Sequence, residues 1–104
     1  MTELTHENFA AEAEQTQIPV LIDFFSEKCS PCKAMGVVFD GLAEQYHSRC
    51  KFCKVDVDAQ PSLALNYQIV SIPTLVFMKQ GMFQNKMIGL TDKETITEYL
   101  NTLI

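Results

Sequence analysis

No apolar run in this sequence approaches the ~20 residues that a membrane-spanning helix needs, and no basic-then-apolar segment opens it, because Met1 through Gln17 is polar and acidic. These absences predict a soluble, unprocessed, cytoplasmic chain. Clusters of positive charge are missing as well. Thirteen acidic against eight basic residues give a formal charge of -5, and the basic ones are scattered, which argues against nucleic acid as a partner. Histidine is scarce, and His6 and His47 sit in polar, helix-like sequence that suits surface residues better than a metal site or a triad. Repeats, low-complexity stretches and linkers are absent. The 104 residues suit one domain, 1–104, and a monomer. A chain of this size buries roughly 60–70% of its extended-chain surface, so it can fold without disulfide staples or a structural metal. Its four cysteines are free for chemistry.

The hydrophobic pattern alternates between the two regular periods. Leu4 to Phe9 reads as a helix start, with Thr5 as N-cap and Leu4 stapling onto Phe9, and the helix fades by about Thr16. Ile18 to Phe25 is a continuous apolar run broken only by Pro19 at its start and by Asp23, as in a central strand covered on both faces. Asp23 is the anomaly there. Met35, Val38, Phe39, Leu42, Ala43 and Tyr46 recur at intervals of three and four, the apolar stripe of a helix reaching to about Ser48 and weakened locally by Gly36 and Gly41. Phe52 to Val57 reads as a strand, and Asp58 to Tyr67, with Pro61 near its start, as a short helix. Ile72-Pro73 forces an extended approach to a strand from Thr74 to Met78. Lys79-Gln80-Gly81 then turns the chain into an antiparallel partner, Met82 to Ile88, ended by Gly89. Thr91-Asp92-Lys93-Glu94 predicts a capping box opening a last helix with Ile96, Tyr99, Leu100 and Leu103 on its apolar face. The order α, β, α, β, α, β, β, α, with a short extra strand near Leu4, predicts an α/β fold: a mixed sheet with helices on both faces.

Cys29-Ser30-Pro31-Cys32 lies between the buried strand and the long helix. Cys29 is thereby placed at the N-cap and Cys32 in the first turn, close enough for a disulfide. Unpaired N–H groups and the positive end of the helix dipole favour an anion, so they lower the pKa of Cys29 and raise its thiolate fraction near neutral pH. Lys28 adds a positive charge next door. Pro31 gives up a backbone donor that the first turn does not need, and stiffens the loop. A mixed disulfide formed by Cys29 needs a second thiol to resolve it, and Cys32 is placed to do so.

Cys50 and Cys53 complicate the count, because C-x2-C, seventeen residues, C-x2-C matches a zinc-site spacing. Strand placement opposes that reading, since strand residues three apart point to opposite faces and cannot easily share an ion. Burial is the expectation for both, with Cys50, nearer the strand's edge, open to a role as an accessory thiol.

The residues resemble the thioredoxin family over essentially the whole chain, through Leu21-Ile22-Asp23-Phe24, Cys29-Ser30-Pro31-Cys32-Lys33, Lys54-Val55-Asp56-Val57-Asp58, Ile72-Pro73-Thr74, Gly81 and Gly89. The resemblance implies the thioredoxin fold, a central mixed β-sheet flanked by helices on both faces. It implies Cys29 as attacking thiol, Cys32 as resolving thiol, and Asp23 as the buried carboxylate that manages the Cys32 proton through water, with Lys54 facing it. Burial would raise the pKa of such an aspartate and make it a usable general base. Pro73 matches the family's cis-proline, and with Ile72 and Gly89 it would form a groove for an extended substrate segment. The activity implied is reduction of protein disulfides, with no bound organic cofactor and with electrons supplied by a thioredoxin reductase.

Departures from the family pattern centre on the docking surface. Lys28 replaces the usual tryptophan before the first cysteine, Ser30 the usual glycine, and Phe25 a common tryptophan; the chain contains none. Together with Pro31, Lys28 and Ser30 are the residues expected to touch substrate and to alter partner choice. Val37 stands where many members carry a helix-kinking proline. Two rival readings follow: a thioredoxin-like zinc or docking module and, within redox chemistry, a disulfide oxidase or isomerase.

Overall fold

The computed structural model describes residues 1–104. Strands β1 (Thr2–Glu3), β2 (Val20–Phe25), β3 (Lys51–Asp56), β4 (Thr74–Lys79) and β5 (Met82–Ile88) form one sheet in the order β1-β3-β2-β4-β5. β3 runs parallel to β1 and β2, whereas β4 is antiparallel to β2 and β5. The apolar run at 20–25 therefore belongs to the central strand. Its alternation divides the core: Leu21 packs with one buried cluster, while Val20, Ile22 and Phe24 pack with the other.

On the first face, helices α1 (Ser30–Tyr46) and α3 (Lys93–Leu103) lay Met35, Phe39, Leu42, Tyr46, Ile96 and Leu100 against Leu21, Phe52, Leu75 and Phe77. On the second, Leu4, Phe9 and Ala13 of the N-terminal segment join Leu63 of helix α2 (Pro61–Asn66) over Ile22, Phe24, Val55 and Val76. The mixed α/β thioredoxin fold expected from the pattern is thus the one observed. Face one places α1 over the half of the sheet that carries Asp23 and Lys54, which are register neighbours on β2 and β3.

Four local expectations need correction. The first helix does not run to Thr16. Thr5 and Asn8 cap one another, Thr5 N–H donating to Asn8 Oδ1 at 2.8 Å and Asn8 N–H to Thr5 Oγ1 at 3.3 Å, and only Ala10–Glu14 follows as a π-helical turn. Lys51 Nζ donates to the Glu12 carbonyl at 2.9 Å and pairs with its carboxylate at 2.6 Å. That cation satisfies the segment's open carbonyl end from β3. At α3 the cap is Asp92, whose side chain accepts from Thr95 N–H at 2.8 Å, one residue later than the Thr91 box. Thr91 Oγ1 instead donates to the Gly89 carbonyl at 3.0 Å. Helix α1 stops at Tyr46, two residues short of Ser48, and β3 lies one residue earlier than Phe52 to Val57.

Gly81 and Gly89 both adopt positive φ, +79° and +86°, but for different local reasons. A Cβ on Gly81 would sit 2.5 Å from the Glu14 carbonyl oxygen, whereas one on Gly89 would meet nothing within 4 Å. Gly89→Ala is expected to lose about 1–2 kcal/mol from the left-handed conformation alone, and Gly81→Ala to lose more, because backbone must also move. Urea denaturation of the two variants compares them directly; equal losses would remove the close approach as a constraint.

Candidate active site

β2 ends at Phe25 and α1 begins at Ser30, so four residues carry the chain from the centre of the sheet to a helix N-terminus. Hydrogen bonds hold this loop. Ser26 Oγ donates to Asp58 Oδ2 at 2.6 Å and accepts from Lys28 N–H at 3.3 Å, while Cys29 N–H donates to the Ser26 carbonyl at 3.2 Å. Ser26 was not legible as a site residue, since it belongs to no motif, and Asp58 was read only as the end of the Lys54 to Asp58 segment; the fold brings the two together across 32 positions.

Cys29 is the N-cap of α1 and its sulfur accepts from Cys32 N–H at 3.2 Å. Ser30 and Pro31 form the exposed start of the first turn. Cys29 and Cys32 are disulfide-bonded with their Cα atoms 5.2 Å apart, inside the usual range for such bridges. Cys29 is half-buried and Cys32 buried, so an approaching group reaches Cys29 first.

The Ile72-Pro73 bond is cis. The Ile72 carbonyl lies 3.9 Å from Cys29 Sγ, and the Pro73 carbonyl accepts from Gly89 N–H at 2.7 Å. Ile72, Pro73 and Gly89 are therefore brought together beside the disulfide. The open space around Gly89 alters one detail: its backbone conformation, not crowding, is what requires glycine there. Lys28 is exposed at the rim and touches the site through its backbone.

Behind the disulfide, Asp23 is 5% exposed and its Oδ1 has no hydrogen-bond partner in the protein. Burial, with a smaller repulsion from Asp40, raises its pKa to about 6, and attraction to Lys54 only partly offsets this. Lys54 faces Asp23 from the register position beside it on β3 and attracts it, as expected, without closing into a salt bridge. Its ammonium lies 5.7 Å from the centre of the Phe25 ring, a cation–π distance that competes for the same charge. Asp40, on the exposed side of α1, was missed because it looks like one more solvated helix residue.

Cys50 packs with the face-one core and Cys53 with the face-two core, so the sheet separates the two sulfurs. Burial pushes their pKa values up to about 12 and about 11. A buried thiol so resistant to ionising is a poor nucleophile, which speaks against the accessory role considered for Cys50. The zinc reading loses its second pair of ligands.

A bonded C-x-x-C pair at a helix N-terminus, its first cysteine only half-buried, defines a thiol-disulfide oxidoreductase. The thioredoxin family model matches residues 1–102. The chain is 36% identical over 104 residues to a thioredoxin of Porphyra purpurea, covering 100% of this chain and 97% of that protein. It is 38% identical over 98 residues to thioredoxin 1 of Synechococcus elongatus, 94% of this chain and 92% of the other. To the M-type chloroplastic thioredoxin of Spinacia oleracea it is 37% identical over 84 residues, 81% and 46% of the two chains. The chain belongs to the thioredoxin family, and its members' protein-disulfide oxidoreductase chemistry is the chemistry of this site.

The raised Asp23 pKa has a consequence for stability. Below about pH 3.8 the carboxyl is neutral in both folded and unfolded chains, so no penalty arises. As pH rises to about 6 the unfolded chain ionises first, and folding stability falls by about 3 kcal/mol in all. Asp23→Asn is expected to flatten this decline and to be the more stable protein at pH 8. Denaturation curves at pH 4 and pH 8 test the sign; a parallel decline in both proteins would refute it.

Proposed function

We propose that this single domain is a reductant of protein disulfides, in which Cys29 attacks and Cys32 resolves. The observation that carries this reading is the Cys32 N–H donated to Cys29 Sγ at the N-terminus of a 17-residue helix. The same donor and the helix dipole stabilise a thiolate on Cys29 once the bridge is reduced. Cys29 thiolate attacks a substrate sulfur, and a mixed disulfide forms as one substrate thiolate leaves. Cys32 gives its proton to Asp23 and attacks Cys29 Sγ; the Cys29–Cys32 bond forms and the second substrate sulfur is released. Two electrons have passed from the dithiol to the substrate. Lys54 tempers the proton affinity of Asp23 from β3.

Ile72, Pro73 and Gly89 supply the groove for an extended substrate segment, with its rim at Lys28, Ser30 and Pro31. Lys28 there brings charge where the family has a flat aromatic, which favours partners with acidic residues beside their cysteines. No organic cofactor is needed, because a thioredoxin reductase returns the electrons to the bridge. The protein acts as a monomer. We infer a cytoplasmic location, which the unpaired thiols Cys50 and Cys53 suit, as oxidising compartments favour paired cysteines; cell fractionation that found the protein in a membrane-bounded or secreted fraction would overturn it.

Cys32→Ser is expected to accumulate a covalent adduct with a disulfide-bonded protein, visible on a non-reducing gel and released by dithiothreitol, while Cys29→Ser forms none. Normal turnover by Cys32→Ser would remove Cys32 from the mechanism. One zinc per purified chain, lost only with the fold, would instead support the metal-holding module.

A further inference from the structure

Beyond the ends of β2 and β3 the two segments stay side by side. Val57 N–H still donates to the Phe25 carbonyl at 2.9 Å. Asp56 Oδ1 accepts from Asp58 N–H at 2.9 Å and from Ala59 N–H at 3.3 Å, which turns the chain as it leaves β3. Asp58 is thereby set against Ser26, the one fully buried residue of the loop that leads to α1. The Ser26 hydroxyl faces two ways: it donates to Asp58 Oδ2 at 2.6 Å and accepts from Lys28 N–H at 3.3 Å. Both bonds meet at a single oxygen, so the Asp58 carboxylate and the Lys28 backbone are close neighbours.

A lysine ammonium rides on a flexible four-carbon stem, and Asp58 is within its reach. Lys28 nevertheless forms no ion pair; the one ion pair of the structure joins Lys51 to Glu12. Glu27, its exposed neighbour, does not pair with it either. Asp58 is satisfied by Ser26 instead. A hydroxyl donating to a carboxylate is among the stronger hydrogen bonds of a protein, and it avoids the entropy lost when two long exposed side chains are held in one geometry. Lys28 is left with its backbone fastened and its charge free.

We propose that Ser26 is a positioning residue for substrate choice: its hydroxyl holds Asp58 away from Lys28 and keeps the Lys28 charge available to acidic residues beside a partner's cysteines. The inference rests on the reading of Lys28 as the charge that selects partners. Without the hydroxyl, the Asp58 carboxylate turns to the Lys28 ammonium and the rim loses its unpaired cation. Cys29 is held differently, through its N–H to the Ser26 carbonyl, a bond that any residue at position 26 can accept. Loss of the hydroxyl therefore separates substrate choice from cysteine placement.

The test measures the second-order rates at which the intact reduced protein reduces two disulfide-linked peptides that differ only in carrying glutamates or lysines beside the cysteine. Physiological ionic strength screens charges beyond about 8 Å, so the ratio of the glutamate rate to the lysine rate reads the charge of the rim. Lys28→Gln should lower this ratio about threefold, the size of an exposed charge pair, and Ser26→Ala about twofold or more. Ser26→Ala added to Lys28→Gln should lower it no further. Asp58→Asn should raise the ratio about twofold more in the Ser26→Ala protein than in the wild type, because only there does the carboxylate compete for Lys28. An unchanged ratio in Ser26→Ala, with or without an equal slowing of both peptides, overturns the inference, as does an equal gain from Asp58→Asn in the two backgrounds. An unchanged ratio in Lys28→Gln would take down the reading of Lys28 and this inference with it. Failure of Cys32→Ser to trap an adduct would instead bring down the reading of the site itself.

Discussion

The site depends on an unsatisfied helix terminus placed at the end of a fully buried strand. A helix must leave its first N–H groups without partners in its own backbone, and here one of those donors, that of Cys32, is directed at the sulfur of Cys29. β2 is the central strand, with β3 and β4 on either side, so it cannot shift without disrupting both core layers. The helix start is therefore held by the most constrained part of the fold, and the Ser26 to Asp58 hydrogen bond ties down the loop between them. Rigid placement of a weakly cationic terminus beside one thiol is what distinguishes Cys29 from the other three cysteines.

Asp23 is the cost of that arrangement. A carboxylate beside Phe25, Cys32 and Phe39 weakens the fold when ionised, and neither Lys54 nor a backbone donor fully compensates it. Sites that must move protons commonly retain groups that a purely stabilising core would replace. Lys54 shares its charge between Asp23 and the face of Phe25, an arrangement that moderates the carboxylate without locking it into a tight ion pair.

Much of this was legible in the residues. The elements carried by continuous apolar runs or strong stripes, β2, α1, β4 and α3, lie where period and length put them, because burial on the sheet is what decides their conformation. Asp23 stood out for breaking such a run, and Cys29 and Cys32 for their place between strand and helix. What the sequence hid was set by tertiary partners. The N-terminal segment is shortened where Lys51, 39 positions away, takes the Glu12 carbonyl. Asp92 rather than Thr91 caps α3 because the Thr91 hydroxyl is drawn back to Gly89. Asp40 and Ser26 carry no motif at all; their relevance arises from what the folded chain sets beside them.

The sheet that divides Cys50 from Cys53 also fixes how many electrons one molecule can exchange. Two sulfurs shielded on opposite sides of a five-stranded barrier can reach neither each other nor the bridge at the head of α1. Internal shuffling among alternative pairings, which four cysteines would otherwise permit in three ways, is closed to the folded chain. Each molecule is thus a single two-electron carrier with one oxidised form, and its oxidation state is fully described by whether that one bridge is open or shut.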